Sequence, residues 1–119
     1  ITRGLAEMRR LGRALGAHDS TFAGMAGIGD LLTSCYSPLG RNRSLGQAIA
    51  AGENPQTLLA RQSSVAEGAW TCRAATLLGE QHRIELPIAS QVAKVIWHAT
   101  PVAIAMENLL SRTPKEEDA

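Results

Sequence analysis

The sequence predicts an all-α fold, a multi-helix bundle, on three observations. Hydrophobic residues fill 45% of the 119 positions but aromatic residues only 3%. Alanine and leucine dominate, a balance suited to helices packed through small side chains. Apolar positions recur three and four residues apart, the period of a helix face. Glycine, proline and short polar clusters then interrupt these runs where helices would stop and start. No segment reads as a strand and no internal repeat is present. At this length the chain fits one domain, which buries roughly two-thirds of its unfolded surface.

The first helix carries Leu5, Met8, Leu11 and Leu15 on one stripe with Ile1 and runs to about Gly16. The stripe is already in progress at Ile1, which predicts a longer protein of which this is the C-terminal piece. His18-Asp19-Ser20 supplies the next N-cap, and the short helix that follows is expected to turn Phe22 and Met25 inward. Gly24, Gly27 and Gly29 allow close backbone approach, but their spacing is not that of a dinucleotide fingerprint and no strand precedes them. Leu31–Cys35 resumes helix until Ser37-Pro38 breaks it. A helix from about Arg41 to Ala51 stops at Gly52, and Glu53-Asn54-Pro55 opens a short one through Leu58 and Leu59. Ser64-Val65-Ala66-Glu67 has the form of a capping box before a long helix over 65–81. Pro87 and Pro101 begin the last two helices, since proline's missing N–H costs nothing in a first turn. The first of these is expected to bury Ile88, Val92, Val95 and Ile96; the second sets Val102, Ala105 and Leu109 on one face. The helical domain is placed at 1–112 and a charged, frayed tail at 113–119.

Twelve basic and eleven acidic residues give a net charge of +1, which argues against nucleic acid or anionic lipid as a partner. Ten of the basic residues are arginine, the side chain suited to planar recognition of phosphate and carboxylate. Cys35 and Cys72 match no metal spacing and read as free thiols in a reducing interior. Asn42-Arg43-Ser44 fits a glycosylation pattern, but no secretory segment makes it relevant. No apolar run reaches the roughly eighteen residues of a membrane span. The expectation is a cytoplasmic protein without membrane insertion. His18, His82 and His98 are scattered, and no metal site is assigned.

The stretch from Gly27 to Ser44, GIGDLLTSCYSPLGRNRS, concentrates the chemistry. Two arginines at the start of a helix sit against the helix dipole unless an anion joins them there. Arg41 can grip phosphate oxygens with two N–H groups, Asn42 can donate its amide, and Gly40 lets backbone N–H groups come close. The plainer alternative is a solvated basic patch. Asp30 is either the N-cap of the following helix or an acceptor for a substrate hydroxyl. Thr33 and Ser34 either offer hydroxyls to a ligand or bond back to carbonyls of their own helix. Glu67 has its structural explanation in the capping box. Asp30 and Arg41 are expected at the rim of one pocket sized for a small hydroxylated phosphate ester.

Taken together, ITRGLAEMRRLGRALGA, FAGMAGIGDLLTSCYSPLGRNRSLG, VAEG and ELPIASQVAKVIW resemble the C-terminal helical domain of NAD(P)-dependent glycerol-3-phosphate dehydrogenases. The match runs almost end to end, and GIGDLLTSC…RNR is its most specific block. The resemblance implies the helical bundle of 6-phosphogluconate-dehydrogenase-like enzymes. It also implies interconversion of dihydroxyacetone phosphate and glycerol 3-phosphate with NAD or NADP, supplying the backbone of phospholipids. By motif, Asp30, Ser34, Gly40, Arg41 and Asn42 fall at substrate-binding positions, and Arg41, Val65 and Glu67 at cofactor-binding positions. No catalytic residue is assigned within the chain. The resemblance places the catalytic lysine and the nucleotide-binding domain upstream of Ile1, so this chain alone is expected to be inactive, with that missing domain as a partner. A homodimer is left open. Many bacterial members carry serine where this chain has Gly40, so a contact there is expected from backbone N–H. The alternatives are a helical domain of another NAD(P)-dependent hydroxy-acid or sugar-acid dehydrogenase, whose members lack the GIGD-to-RNR block, or a non-enzymatic helical interaction module.

Overall fold

The structure is a computed structural model and describes residues 1–61 and 66–114. Among these residues the fold is all helix: α1 (Thr2–Ala14), α2 (Asp19–Ala23), a π-helical turn (Met25–Gly29), α3 (Asp30–Tyr36), α4 (Arg41–Ala50), α5 (Pro55–Arg61), α6 (Glu67–His82), α7 (Pro87–Trp97) and α8 (Val102–Leu110). Pro87 occupies the first turn of α7 as expected. Gly16 and Gly52 end α1 and α4 at φ of 89° and 99°, the left-handed conformation that glycine adopts without steric cost.

The core gathers Leu45 of α4, Ala69 and Cys72 of α6 and Ala93 and Ile96 of α7 around Ala66; Ile49, Leu58, Leu59 and Trp97 pack against them. Alanine at these helix contacts lets α6 and α7 lie close, and Trp97 fills the remaining width. Its indole N–H donates to the Ala69 carbonyl at 2.7 Å, satisfying the one polar atom that its burial would otherwise strand. Trp70 leans on Trp97 with ring centroids 4.7 Å apart, and the Arg73 guanidinium lies 4.3 Å from the Trp97 ring centroid, within cation–π range.

Side chains from other helices hold α7 at both ends. The Ile88 and Ala89 N–H groups donate to the Glu7 carboxylate of α1 at 2.6 and 3.2 Å, and Gln56 of α5 donates to the Ile96 carbonyl at 2.6 Å. Both contacts satisfy backbone groups that a helix end leaves unpaired. Burial pushes the Glu7 carboxyl above its usual range, against those two N–H groups and the charges of Arg10 and Arg112.

Several sequence expectations need correction. Met25 is 88% exposed. Its three-residue spacing from Phe22 does not put the two on one face, because Gly24 between them is extended at φ −98°, ψ −163°. The α1 stripe is only half covered, with Ile1, Met8 and Leu15 exposed, while Ala6, Glu7 and Gly12 beside it are buried. Small residues make the contact there: a Cβ built on Gly12 would lie 2.3 Å from the Phe22 ring. Val92, expected to be buried, is exposed; Ala93 and Ile96 are the buried residues of α7, and Ala105 that of α8. The long helix begins at Glu67 with Ala66 as its N-cap, so Glu67 stands at the first helical position and not at the third, where a capping box needs it. Ser64, Val65 and residues 115–119 of the expected tail lie outside the described residues.

Candidate functional site

The Gly27–Ser44 stretch forms a shoulder built from the π turn, α3 and the start of α4. Its base is a backbone contact. A Cβ on Gly27 would lie 2.3 Å from the Phe22 Cα and carbonyl oxygen, so only glycine lets the π turn pass over α2. That seat aims α3, which continues from the π turn without a break. π turns of this kind occur often at functional sites.

Asp30 is the first helical residue of α3, and the N-cap position falls on Gly29, with no side-chain cap hydrogen bond. The capping explanation therefore fails, because the preceding turn is already helical and carries its own backbone bonds. The carboxylate is exposed and has no hydrogen-bond partner among the described residues. Ser34 lies one helical turn further on, about 6 Å along the axis and on the same face. The two hydroxyls of α3 differ. Thr33 donates back to the Gly29 carbonyl at 3.1 Å, whereas Ser34 is exposed with a hydroxyl that has no such bond among the described residues.

Gly40 is the N-cap of α4, at φ −66°, ψ 124°. A Cβ there would lie 3.2 Å from the Ser34 carbonyl and 3.3 Å from the Ser37 carbonyl, so the start of α4 rests on the end of α3. The Gly40 N–H is already donated to the Ser37 carbonyl at 3.2 Å. The expectation that this N–H would serve a ligand is thereby corrected. The open N–H groups are those of the first turn of α4, which has no side-chain cap.

The arginines of the triplet divide the work. Arg43 donates to the Tyr36 carbonyl at 2.7 Å and the Cys35 carbonyl at 3.4 Å, placing a cation at the C-terminus of α3 where the dipole favours one. Arg41 is exposed and its guanidinium has no partner among the described residues. Asn42 reaches across to α6: the Gly68 N–H donates to its Oδ1 at 2.9 Å. A backbone N–H can bond only the oxygen of the amide, so Asn42 Nδ2 remains a donor, without a partner among the described residues. Glu67, next to Gly68, is exposed at the first position of α6.

Contacts thus join Ser34, Gly40, Asn42 and the Glu67–Gly68 turn, with Arg41 between Gly40 and Asn42. Asp30 is connected through α3. Asp30 and Arg41 are both exposed and line neither of two cavities among the described residues. Those cavities, of about 630 and 240 Å³, lie against Glu7 and Arg10 in one case and Thr76 and Glu80 in the other. Val65 falls outside the described residues. The sequence reading missed Gly68, whose signal was a glycine directly after a helix-opening glutamate.

The model of the NAD-dependent glycerol-3-phosphate dehydrogenase C-terminus matches residues 1–107. The chain belongs to this family. It is 46% identical over 117 residues to a glycerol-3-phosphate dehydrogenase [NAD(P)+] of Parafrankia sp., covering 98% of this chain and 35% of that protein. It is 45% identical to the protein of the same name from Halorhodospira halophila, again over 98% of this chain and 35% of the relative. A crystal structure of glycerol-3-phosphate dehydrogenase from Coxiella burnetii superposes with a TM-score of 0.87 at 32% identity, covering 93% of this chain and 34% of that one. The chain therefore spans about a third of the glycerol-3-phosphate dehydrogenases it matches and corresponds to their C-terminal helical domain. No helix among its described residues is long and apolar enough to cross a membrane.

Proposed function

We propose that this chain is the substrate-binding domain of an NAD(P)-dependent dehydrogenase that interconverts dihydroxyacetone phosphate and glycerol 3-phosphate, a precursor of glycerophospholipids. The observation that carries the reading is an exposed Arg41 guanidinium without a partner among the described residues, next in sequence to an Asn42 amide that is fixed through its oxygen and keeps its NH2 group as a donor. These two groups, with the open N–H groups of the first turn of α4, suit the dianionic phosphate. The exposed Asp30 carboxylate and Ser34 hydroxyl, one helical turn apart, suit the hydroxyl and carbonyl end of the same three-carbon molecule.

The dinucleotide, when bound, supplies or takes the hydride. The groups in this chain fit its edge: Arg41 can hold a phosphate, and the exposed Glu67 carboxylate can accept from a ribose hydroxyl across the Asn42–Gly68 junction. Val65 belongs to the same proposed set by motif. The domain's contribution is positional. Clamping the phosphate and the hydroxyl end fixes the reacting carbon, an orientation effect that reaches about 7–11 kcal/mol in the best cases. No group in this chain is assigned to proton transfer, and the isolated chain is expected to have no dehydrogenase activity. A cytoplasmic location goes with this reading.

Arg41→Lys in the full-length enzyme tests it. Lysine keeps the charge and loses the planar fork, so KM for dihydroxyacetone phosphate should rise about tenfold or more, with weaker dinucleotide binding. Unchanged constants for both ligands would overturn the clamp.

A further inference from the structure

We infer that Gly68 is a positioning residue for the phosphate site, acting solely through Asn42; the inference rests on the substrate reading above. The evidence is one contact seen from both sides. From Asn42, the only hydrogen bond fixing the amide among the described residues is the one its Oδ1 accepts from the Gly68 N–H at 2.9 Å. From Gly68, a Cβ would lie 2.8 Å from that Oδ1, 2.9 Å from the Asn42 Cγ and 3.2 Å from its Nδ2. The amide therefore lies flat against the Cα of residue 68, in space that every other amino acid fills.

Helix formation gives no reason for glycine here. Gly68 is the second residue of α6, its φ is not in the left-handed region, and alanine is the better helix former at an ordinary helical position. The three atoms nearest to such a Cβ all belong to the end of one side chain. A methyl group at 68 would therefore displace the amide and leave the backbone in place. The first turn of α6 thus acts as a template for the amide. Its N–H orients Oδ1 and its missing Cβ sets the depth, so the plane of the amide and with it the position of the Nδ2 donor are fixed.

The test is a double-mutant cycle in the full-length enzyme with dihydroxyacetone phosphate. Asn42→Ala should raise KM between about tenfold and a hundredfold, the loss expected for one hydrogen bond to a charged group. Gly68→Ala should raise KM in the same direction, with kcat much less affected and an unfolding midpoint equal to or above that of the wild type. In the Asn42→Ala background the second substitution should add less than a twofold change, because its target is gone. Full additivity of the two effects, or a wild-type KM for Gly68→Ala while Asn42→Ala is impaired, would overturn the positioning role and leave the substrate reading standing. A wild-type KM for Asn42→Ala would overturn the substrate reading itself. A lowered unfolding midpoint for Gly68→Ala would show that the glycine serves the fold and also count against the inference.

Discussion

Between Leu45 and Ile96 the protein is held by burial: six residues of the core cluster are each less than one-tenth exposed, and larger apolar side chains lean on them. Between Met25 and Asn42 only Gly27 is buried, and Met25, Tyr36 and Leu39 are largely exposed. Contacts of another kind hold that shoulder: a glycine against the Phe22 backbone, the Arg43 guanidinium on the last carbonyls of α3 and the Asn42 amide on α6. The core can therefore define where the start of α6 lies, while the shoulder reaches that point through a few directional contacts. Substitutions should separate accordingly, with stability lost in one region and ligand geometry in the other.

The largest effect on stability should come from the core. Ile96→Ala removes three methylene-sized groups from the best-buried contact of α7 and should cost about 2–5 kcal/mol, read as a lowered urea midpoint with an unchanged slope. Its effect on ligand constants in the folded enzyme should be minor. A loss below 1 kcal/mol would mean that α7 is held mainly at its ends and not by burial.

Next comes Gly27→Ala, which should break both regions at once. The added Cβ meets backbone atoms of Phe22, which cannot swing aside, so the π turn must move. Overpacking of this kind costs about 1–3 kcal/mol, and the displaced turn carries Asp30 with it. KM should rise together with the loss of stability, unlike the Gly68→Ala outcome. A stable enzyme with normal KM would show that α3 is aimed by something other than this seat.

These two glycines also show how much of the molecule was legible in the sequence. Helices with whole turns of periodic pattern and a glycine or proline at the end were read nearly as they stand, since such stops act locally: Gly16, Gly52 and Pro87 are examples. The π turn was not legible. Five residues of it carry no period of their own, and the extended Gly24 before it changed the face on which Met25 falls. In the site, residue types and spacing pointed to Arg41 and Asn42, but could not divide labour between Arg41 and Arg43 or between Thr33 and Ser34. Those distinctions depend on which carbonyl lies within reach, a tertiary fact. Gly68 was overlooked for the same reason: its partner is 26 residues away.

A third, smaller effect belongs to Glu7, on the core side. Glu7→Ala removes the acceptor for the Ile88 and Ala89 N–H groups and should cost about 0.5–2 kcal/mol, the usual worth of an N-terminal cap. The pH dependence has a definite sign. Burial raises the carboxyl above 4.5 in the folded state, so the native protein keeps a proton that the unfolded chain releases. Stability from this group is fully present below about pH 4.5 and falls as pH rises through the folded value. Glu7→Gln, which cannot ionise, should lack that decline and gain on the wild type as pH increases. Parallel midpoints for the two proteins between pH 4 and 7 would show that the N–H groups and nearby arginines cancel the burial penalty.

The smallest stability effect should be that of Arg43→Met, and it sharpens the comparison most. Methionine keeps much of the side-chain volume and loses the donors to the Tyr36 and Cys35 carbonyls. The contact is exposed and sits at a helix C-terminus, so its loss should cost only about 0.3–1 kcal/mol. The same contact is nevertheless a side-chain tie, beside the Gly40–Ser37 backbone bond, between the end of α3, the helix that carries Asp30 and Ser34, and the start of α4, which carries Arg41 and Asn42. Loosening it should therefore raise KM for the phosphate substrate severalfold, out of proportion to the stability lost. Dinucleotide affinity should shift less, since Glu67 is held by α6. If KM and midpoint instead changed in step, the shoulder would be an extension of the core, stabilised as a whole, and the separation drawn between burial and directional contacts would not hold.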